Sequence, residues 1–159
     1  MFKKLANIMF LLVAILMAAC DDNYVSSIPN YPVRLQVRLT AEYSTFKNST
    51  NQFLLFEARK LETDRIGYGG IMIYSGLMTD DYGNSVYYAF DMACPYEAKQ
   101  DVKVYPVQDS LPGLVRCEKC GSEFNVAYGF GDPVKGPATE ILKRYRVTYS
   151  SDVLVVQPR

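Results

Sequence analysis

Histidine and tryptophan are both missing from the 159 residues. Without histidine there is no Ser-His-Asp triad, no carboxylate–histidine–zinc unit and no imidazole switch near neutral pH. Without tryptophan, aromatic packing falls to thirteen tyrosines and eight phenylalanines, residues that favour strands. Excess charge of either sign is lacking too, since seventeen Lys and Arg balance seventeen Asp and Glu. No basic face stands out, which argues against a nucleic-acid partner. Long hydrophobic runs are scarce. The longest, Ile8 to Ala19, has twelve residues, short of the roughly eighteen or more that a membrane-spanning helix needs. Repeats and low-complexity segments are absent. Cysteine is used only four times, at positions 20, 94, 117 and 120.

What is present at the N-terminus reads as an export signal. Lys3 and Lys4 form a basic start, the Ile8–Ala19 run is the apolar stretch, and Asp21-Asp22-Asn23 ends any helix pattern immediately afterwards. Met17-Ala18-Ala19-Cys20 resembles the bacterial lipobox, with Met17 where Leu is usual. The resemblance implies cleavage before Cys20 and acylation of its sulfur. Several acyl chains would then anchor the protein stably, at roughly 0.8 kcal/mol per buried methylene. The expected location is the bacterial cell envelope, lipid-anchored to a membrane, with the domain outside the cytoplasm. Twin arginines are absent, so the route is Sec. The organisation expected is residues 1–19 as signal peptide, 20–32 as a lipidated tether containing Pro29 and Pro32, and 33–159 as one β domain. Cys20 to Arg159 is 140 residues, with fifteen Lys and Arg against seventeen Asp and Glu.

Strand patterns fill that domain. Val33, Leu35, Val37 and Leu39 alternate with Arg34, Gln36, Arg38 and Thr40, as in a half-exposed antiparallel strand. Phe53–Phe56 and Ile71–Tyr74 are short apolar strands. Asp81-Tyr82-Gly83-Asn84 is a turn leading into the strand Val86–Phe90. Leu114–Arg116 and Glu123–Val126 flank a cysteine turn, and Tyr145–Tyr149 with Val153–Val156 form a hairpin. No long stretch has helical periodicity, so the fold class is all-β. Asn48-Ser49-Thr50 fits a glycosylation sequon and is read as a polar loop.

The chemistry sits in two loops. Cys117-Glu118-Lys119-Cys120-Gly121 is a C-x-x-C-G turn that points two sulfurs at one spot, and Cys94-Pro95-Tyr96 opens another loop after a strand. From Gly70 to Pro158 the chain resembles the Rieske domain family. The family's first loop, C-P-H or C-T-H, matches Cys94-Pro95-Tyr96. Its second, C-x-x-H-G-S-x-F, matches Cys117-Glu118-Lys119-Cys120-Gly121-Ser122-Glu123-Phe124. Gly129, Gly131, Gly136-Pro137-Ala138, Leu142 and Tyr145 follow in the family's order, and twenty residues separate Tyr96 from Cys117. The resemblance implies an antiparallel β-sandwich or barrel with a small two-loop subdomain.

A Rieske centre holds one iron by two cysteines and the other by two histidines. Cys94 and Cys117 stand at the cysteine positions, whereas Tyr96 and Cys120 replace both histidines. The cysteine pair that staples the loops in many members is also gone, with Lys99 and Lys119 at about those places. Three readings follow. A 2Fe–2S electron carrier would use Cys94, Cys117, Cys120 and, weakly, Tyr96. A zinc-stabilised module would use the three thiolates. A metal-free binding or structural module would carry a disulfide, either from Cys94 to Cys117 or Cys120, a link worth roughly 3–4 kcal/mol, or between Cys117 and Cys120 across a tiny loop. The reading taken first is the last one, without a cofactor. Rieske proteins outside the bacterial cytoplasm generally cross folded through Tat, and this signal is of the Sec kind. The protein is expected to be non-catalytic, with the membrane and an envelope protein as partners. Quinol oxidation is unsuited, because Tyr96, with an ordinary pKa near 10, is a poor proton acceptor at neutral pH.

Overall fold

The computed structural model describes residues 25–81, 83–108 and 111–159. The signal segment 1–19, the lipidation residue Cys20 and the residues up to Tyr24 lie outside these, as does Tyr82 of the expected turn. Among the described residues no helix is long and apolar enough to cross a membrane.

The class is all-β, as the patterning requires. Seven strands form one antiparallel sheet: β1 (Val33–Arg38), β2 (Gln52–Phe56), β3 (Arg65–Ile66), β4 (Ile71–Thr79), β5 (Ser85–Asp91), β10 (Arg144–Ser150) and β11 (Val153–Gln157). Their order is β2-β4-β5-β10-β11-β1-β3. Four shorter strands form the second sheet in chain order: β6 (Val104–Pro106), β7 (Leu114–Cys117), β8 (Glu123–Asn125) and β9 (Asp132–Lys135). One helical turn, α1 (Ser44–Lys47), follows β1 and buries Phe46.

Alternation decides which face each strand buries. β1 keeps Val33, Leu35 and Val37 inside and the intervening polar residues outside. β4 behaves differently, and the reason lies in its neighbours. Ile71 and Ile73 join a core with Leu35, Leu154 and Val156, while Met72 and Tyr74 join a second core with Phe90, Val115 and Phe124. The four-stranded sheet covers the outer face of β4 and β5, so the run Ile71–Tyr74 is apolar on both sides. Full burial of side chains of this size contributes roughly 1.5–3 kcal/mol each.

The β10–β11 hairpin pairs Ser150 with Val153 and leaves Ser151 and Asp152 in the left-handed region, with φ of 50° and 63°. Two successive left-handed residues match the twist of the flanking strands. The Asp152 carboxylate steadies this turn by accepting from Lys47 Nζ at 2.7 Å and from the Tyr149 hydroxyl at 2.8 Å.

The stretch expected to be a free tether differs from that expectation. Ile28 is buried, at 1% exposure. The Ser27 amide and Ser26 hydroxyl donate to Glu140 at 2.8 and 3.1 Å, and Lys143 Nζ donates to the carbonyls of Ile28 and Pro29. Among the described residues, packed structure therefore includes Ser26 to Pro29, ahead of Val33. An apolar residue followed by proline suits a strap lying on the surface as well as a linker, and only its partners distinguish the two.

Candidate metal centre

Each cysteine loop grows out of the second core. β5 ends at Asp91, and the chain continues through Met92 and Ala93 to Cys94. The Cys94 amide donates to the Val102 carbonyl at 2.9 Å, closing the first loop at its base. β7 ends at Cys117, whose amide donates to the Ser122 carbonyl at 2.9 Å, and the Gly121 amide returns to the Cys117 carbonyl at 2.9 Å. Gly121 has φ +72°, so the glycine of the C-x-x-C-G turn performs the left-handed reversal read from the sequence.

The base of the first loop is pinned by a buried carboxylate. Asp91 accepts from the amides of Gly69 at 2.9 Å, Tyr68 at 2.8 Å and Ala93 at 2.8 Å, and from the Tyr145 hydroxyl at 2.6 Å. Burial, together with the neighbouring Asp91, raises the Tyr145 phenol far above its ordinary pKa, so it stays protonated as a donor. Asp91 was not singled out from the sequence. Its signal is an acidic residue inside the apolar run Tyr87–Cys94, which a buried position tolerates only when hydrogen-bonded.

The second loop is held by Ser122, which is fully buried. Its hydroxyl oxygen accepts from the Ala138 amide at 3.1 Å and lies 3.1 Å from the Cys120 sulfur. Gly136, with φ +90°, runs against the backbone of Ser122, where a Cβ would meet Ser122 Cα at 2.6 Å. The G-S-x-F and G-P-A elements are therefore two sides of one contact.

The three sulfurs converge. Those of Cys94, Cys117 and Cys120 all lie within 4.8 Å of one another, and Cys94 to Cys120 is 3.7 Å. All three are free thiols, so the disulfide expected of the metal-free reading is not formed here. Cys94 and Cys117 are buried and Cys120 is partly exposed. Burial pushes the Cys94 thiol up to about 12, against the opposing pull of the Glu97 and Tyr96 amides directed at its sulfur. Burial also acts to raise Cys120, but hydrogen bonds from Ser122 and contacts with the other two cysteines outweigh it and leave that thiol below its ordinary value. Tyr96 adjoins Cys94 but is 55% exposed. Across the two loops, Lys119 Nζ lies 2.8 Å from Glu97 Oε2.

The donor set tests the cluster that the resemblance implies. A Rieske cluster places two imidazoles on its second iron, and this chain has none; an all-cysteine 2Fe–2S site needs four thiolates. Three sulfurs in mutual reach could hold one metal ion. The residues present do not fit a Rieske cluster. Tetrahedral metal–thiolate bonds of about 2.3 Å place sulfurs about 3.8 Å apart, close to the Cys94–Cys120 spacing.

No family model matches the chain, and no curated protein matches it. Among solved structures, the chain is similar to one from the complex of reduced oxygenase and oxidized ferredoxin in carbazole 1,9a-dioxygenase, at 15% identity over 79% of this chain and 94% of that one, with a TM-score of 0.45. It is likewise similar to the ferredoxin of carbazole 1,9a-dioxygenase from Nocardioides aromaticivorans IC177, at 19% identity over 80% of this chain and 98% of that one, with a TM-score of 0.45.

Proposed function

We propose that this protein is a lipid-anchored lipoprotein of the bacterial cell envelope whose Rieske-like domain binds one thiophilic metal ion, zinc by its donor set, and acts as a non-catalytic binding or structural module. The observation that carries the reading is the mutual approach of three thiol sulfurs within 4.8 Å. Coordination deprotonates thiols outright, which would relieve the burden that burial places on Cys94. Zinc supplies no redox chemistry, so its part in such a site is to tie the two loops together. The metal-free reading, which the sequence put first, is kept beside it: the 3.7 Å contact between Cys94 and Cys120 also suits an oxidised pair in a compartment that permits disulfides.

The test is metal content of protein purified from membranes under reducing conditions, followed by exchange into cobalt(II). One zinc per chain, and thiolate-to-cobalt absorption lost in Cys94→Ser, Cys117→Ser and Cys120→Ser, supports the reading. Iron with labile sulfide in equal amounts would replace it with the cluster. Fully reduced thiols that hold neither zinc nor cobalt would leave the metal-free module.

A further inference from the structure

We propose that the thiol-bearing end of the domain is held at the phospholipid surface by the strap that precedes β1. The inference rests on acylation of Cys20 and is independent of which metal, if any, the thiols hold.

The strap and the thiols share one end of the fold. The Ser27 hydroxyl donates to the carbonyl of Pro95 at 2.8 Å, and Pro95 directly follows Cys94. Ser26 and Ser27 are tied to Glu140, and Lys143 Nζ gathers the Ile28 and Pro29 carbonyls and Asn30 Oδ1 at 2.9, 2.9 and 2.7 Å. Farther along, the Tyr31 ring meets Tyr68 edge-on at 5.2 Å, and the Gly67 amide donates to the Pro32 carbonyl at 3.2 Å. The strap is thus fastened along its length before β1 begins.

Chain length then limits orientation. Six residue steps separate Cys20 from Ser26, and a fully extended chain covers at most about 3.6 Å per residue, so Ser26 lies within about 22 Å of the acylated residue. The opposite end of the domain is the β4–β5 turn. β5 runs from Ser85 at that turn to Asp91 beside the thiol loop, and six steps of extended strand cover about 20 Å. With the β4–β5 turn against the bilayer the leader would have to be almost fully extended, whereas with the Cys94 loop against it no such extension is needed, so the second orientation is favoured. Tyr96, 55% exposed beside Cys94, is an aromatic residue of the kind enriched at membrane–water interfaces. A partner that reaches the thiols would then itself be in or on the membrane.

The absence of tryptophan makes a clean test available. The full acylated chain is reconstituted in phosphatidylethanolamine–phosphatidylglycerol vesicles carrying a dansyl headgroup lipid. Single reporters are Tyr96→Trp at the thiol end, Val25→Trp on the strap and Met78→Trp near the β4–β5 turn, all at exposed positions. Energy transfer several-fold stronger from Tyr96→Trp and Val25→Trp than from Met78→Trp is the expected result. Inserting a flexible Gly-Ser stretch of about twenty residues after Asn23 should abolish that difference. Equal transfer from both ends in a chain that floats with the vesicles overturns the orientation while leaving the anchor intact. A chain that carries no acyl group and does not float overturns both.

Discussion

Lys119 and Glu97 form an ion pair across the two cysteine loops, with Nζ 2.8 Å from Oε2. Glu97 is largely buried, at 15% side-chain exposure, and Lys119 is half exposed at 51%. The pair links the two loops only weakly, because water and salt screen its exposed member. Lys119→Met and Glu97→Gln should each lower the thermal midpoint slightly and speed metal loss to a chelator. The two effects should fall short of additive in the double variant and shrink at high salt, as measured by a double-mutant cycle at two ionic strengths.

Metal removal should destabilise the whole domain. An ion held by the assembled three-thiol site, as proposed, would add stability by mass action, about 2.7 kcal/mol at a hundredfold excess over Kd. Chelator should therefore lower the thermal midpoint of the wild-type protein and leave Cys117→Ser nearly unchanged. Calorimetry with and without chelator checks both outcomes.

Asp91 satisfies three amides and one hydroxyl while fully buried. Asp91→Ala would strand those donors, and the expected loss is about 3–5 kcal/mol. Tyr145→Phe removes one charge-assisted bond and should cost about 1.5–3 kcal/mol. Urea unfolding of the two variants should rank them in that order.

Glu123 sits between Arg116 and Lys135 in register on β7, β8 and β9. Its Oε1 accepts from Arg116 Nη2 at 2.5 Å and lies 3.4 Å from Lys135 Nζ. Chiefly Arg116, and then Lys135 against the effect of burial, hold this carboxyl below its ordinary value of 4.5. A depressed folded-state pKa adds stability above the unfolded value, and that stability is lost as pH falls through the folded one. In metal-stripped protein, Glu123→Gln should therefore show a shallower loss of thermal midpoint below about pH 4.5 than wild type. Parallel curves would contradict the linkage.

Cys20→Ser should leave the chain unacylated and its signal segment largely uncleaved. Palmitate labelling and the apparent mass of the membrane-bound protein check this, and label on the variant would refute the assignment.

The β class and the strand positions of the large sheet were legible because their cause is local. Val33–Arg38 alternates since one face meets the core, and Ser150–Val153 turns sharply because two strand patterns flank a short polar link. β6, β9 and the two-residue β3 carry no such signal and exist through their partners: Val104 pairs with Cys117, and Pro133 with Phe124. The same division holds at the site. Sequence spacing named Cys94, Cys117 and Cys120 and removed imidazole from the chemistry, since ligand identity is a property of residue type. Whether three sulfurs meet, and whether as thiols or as a disulfide, depends on how two loops far apart in the chain are pinned by Asp91 and Ser122. The strap makes the point most sharply. Nothing in Ser26–Asn30 itself separates a tether from a docked segment, because the groups that hold it, Pro95, Glu140 and Lys143, are more than sixty residues away and act only after the sheets have brought them together.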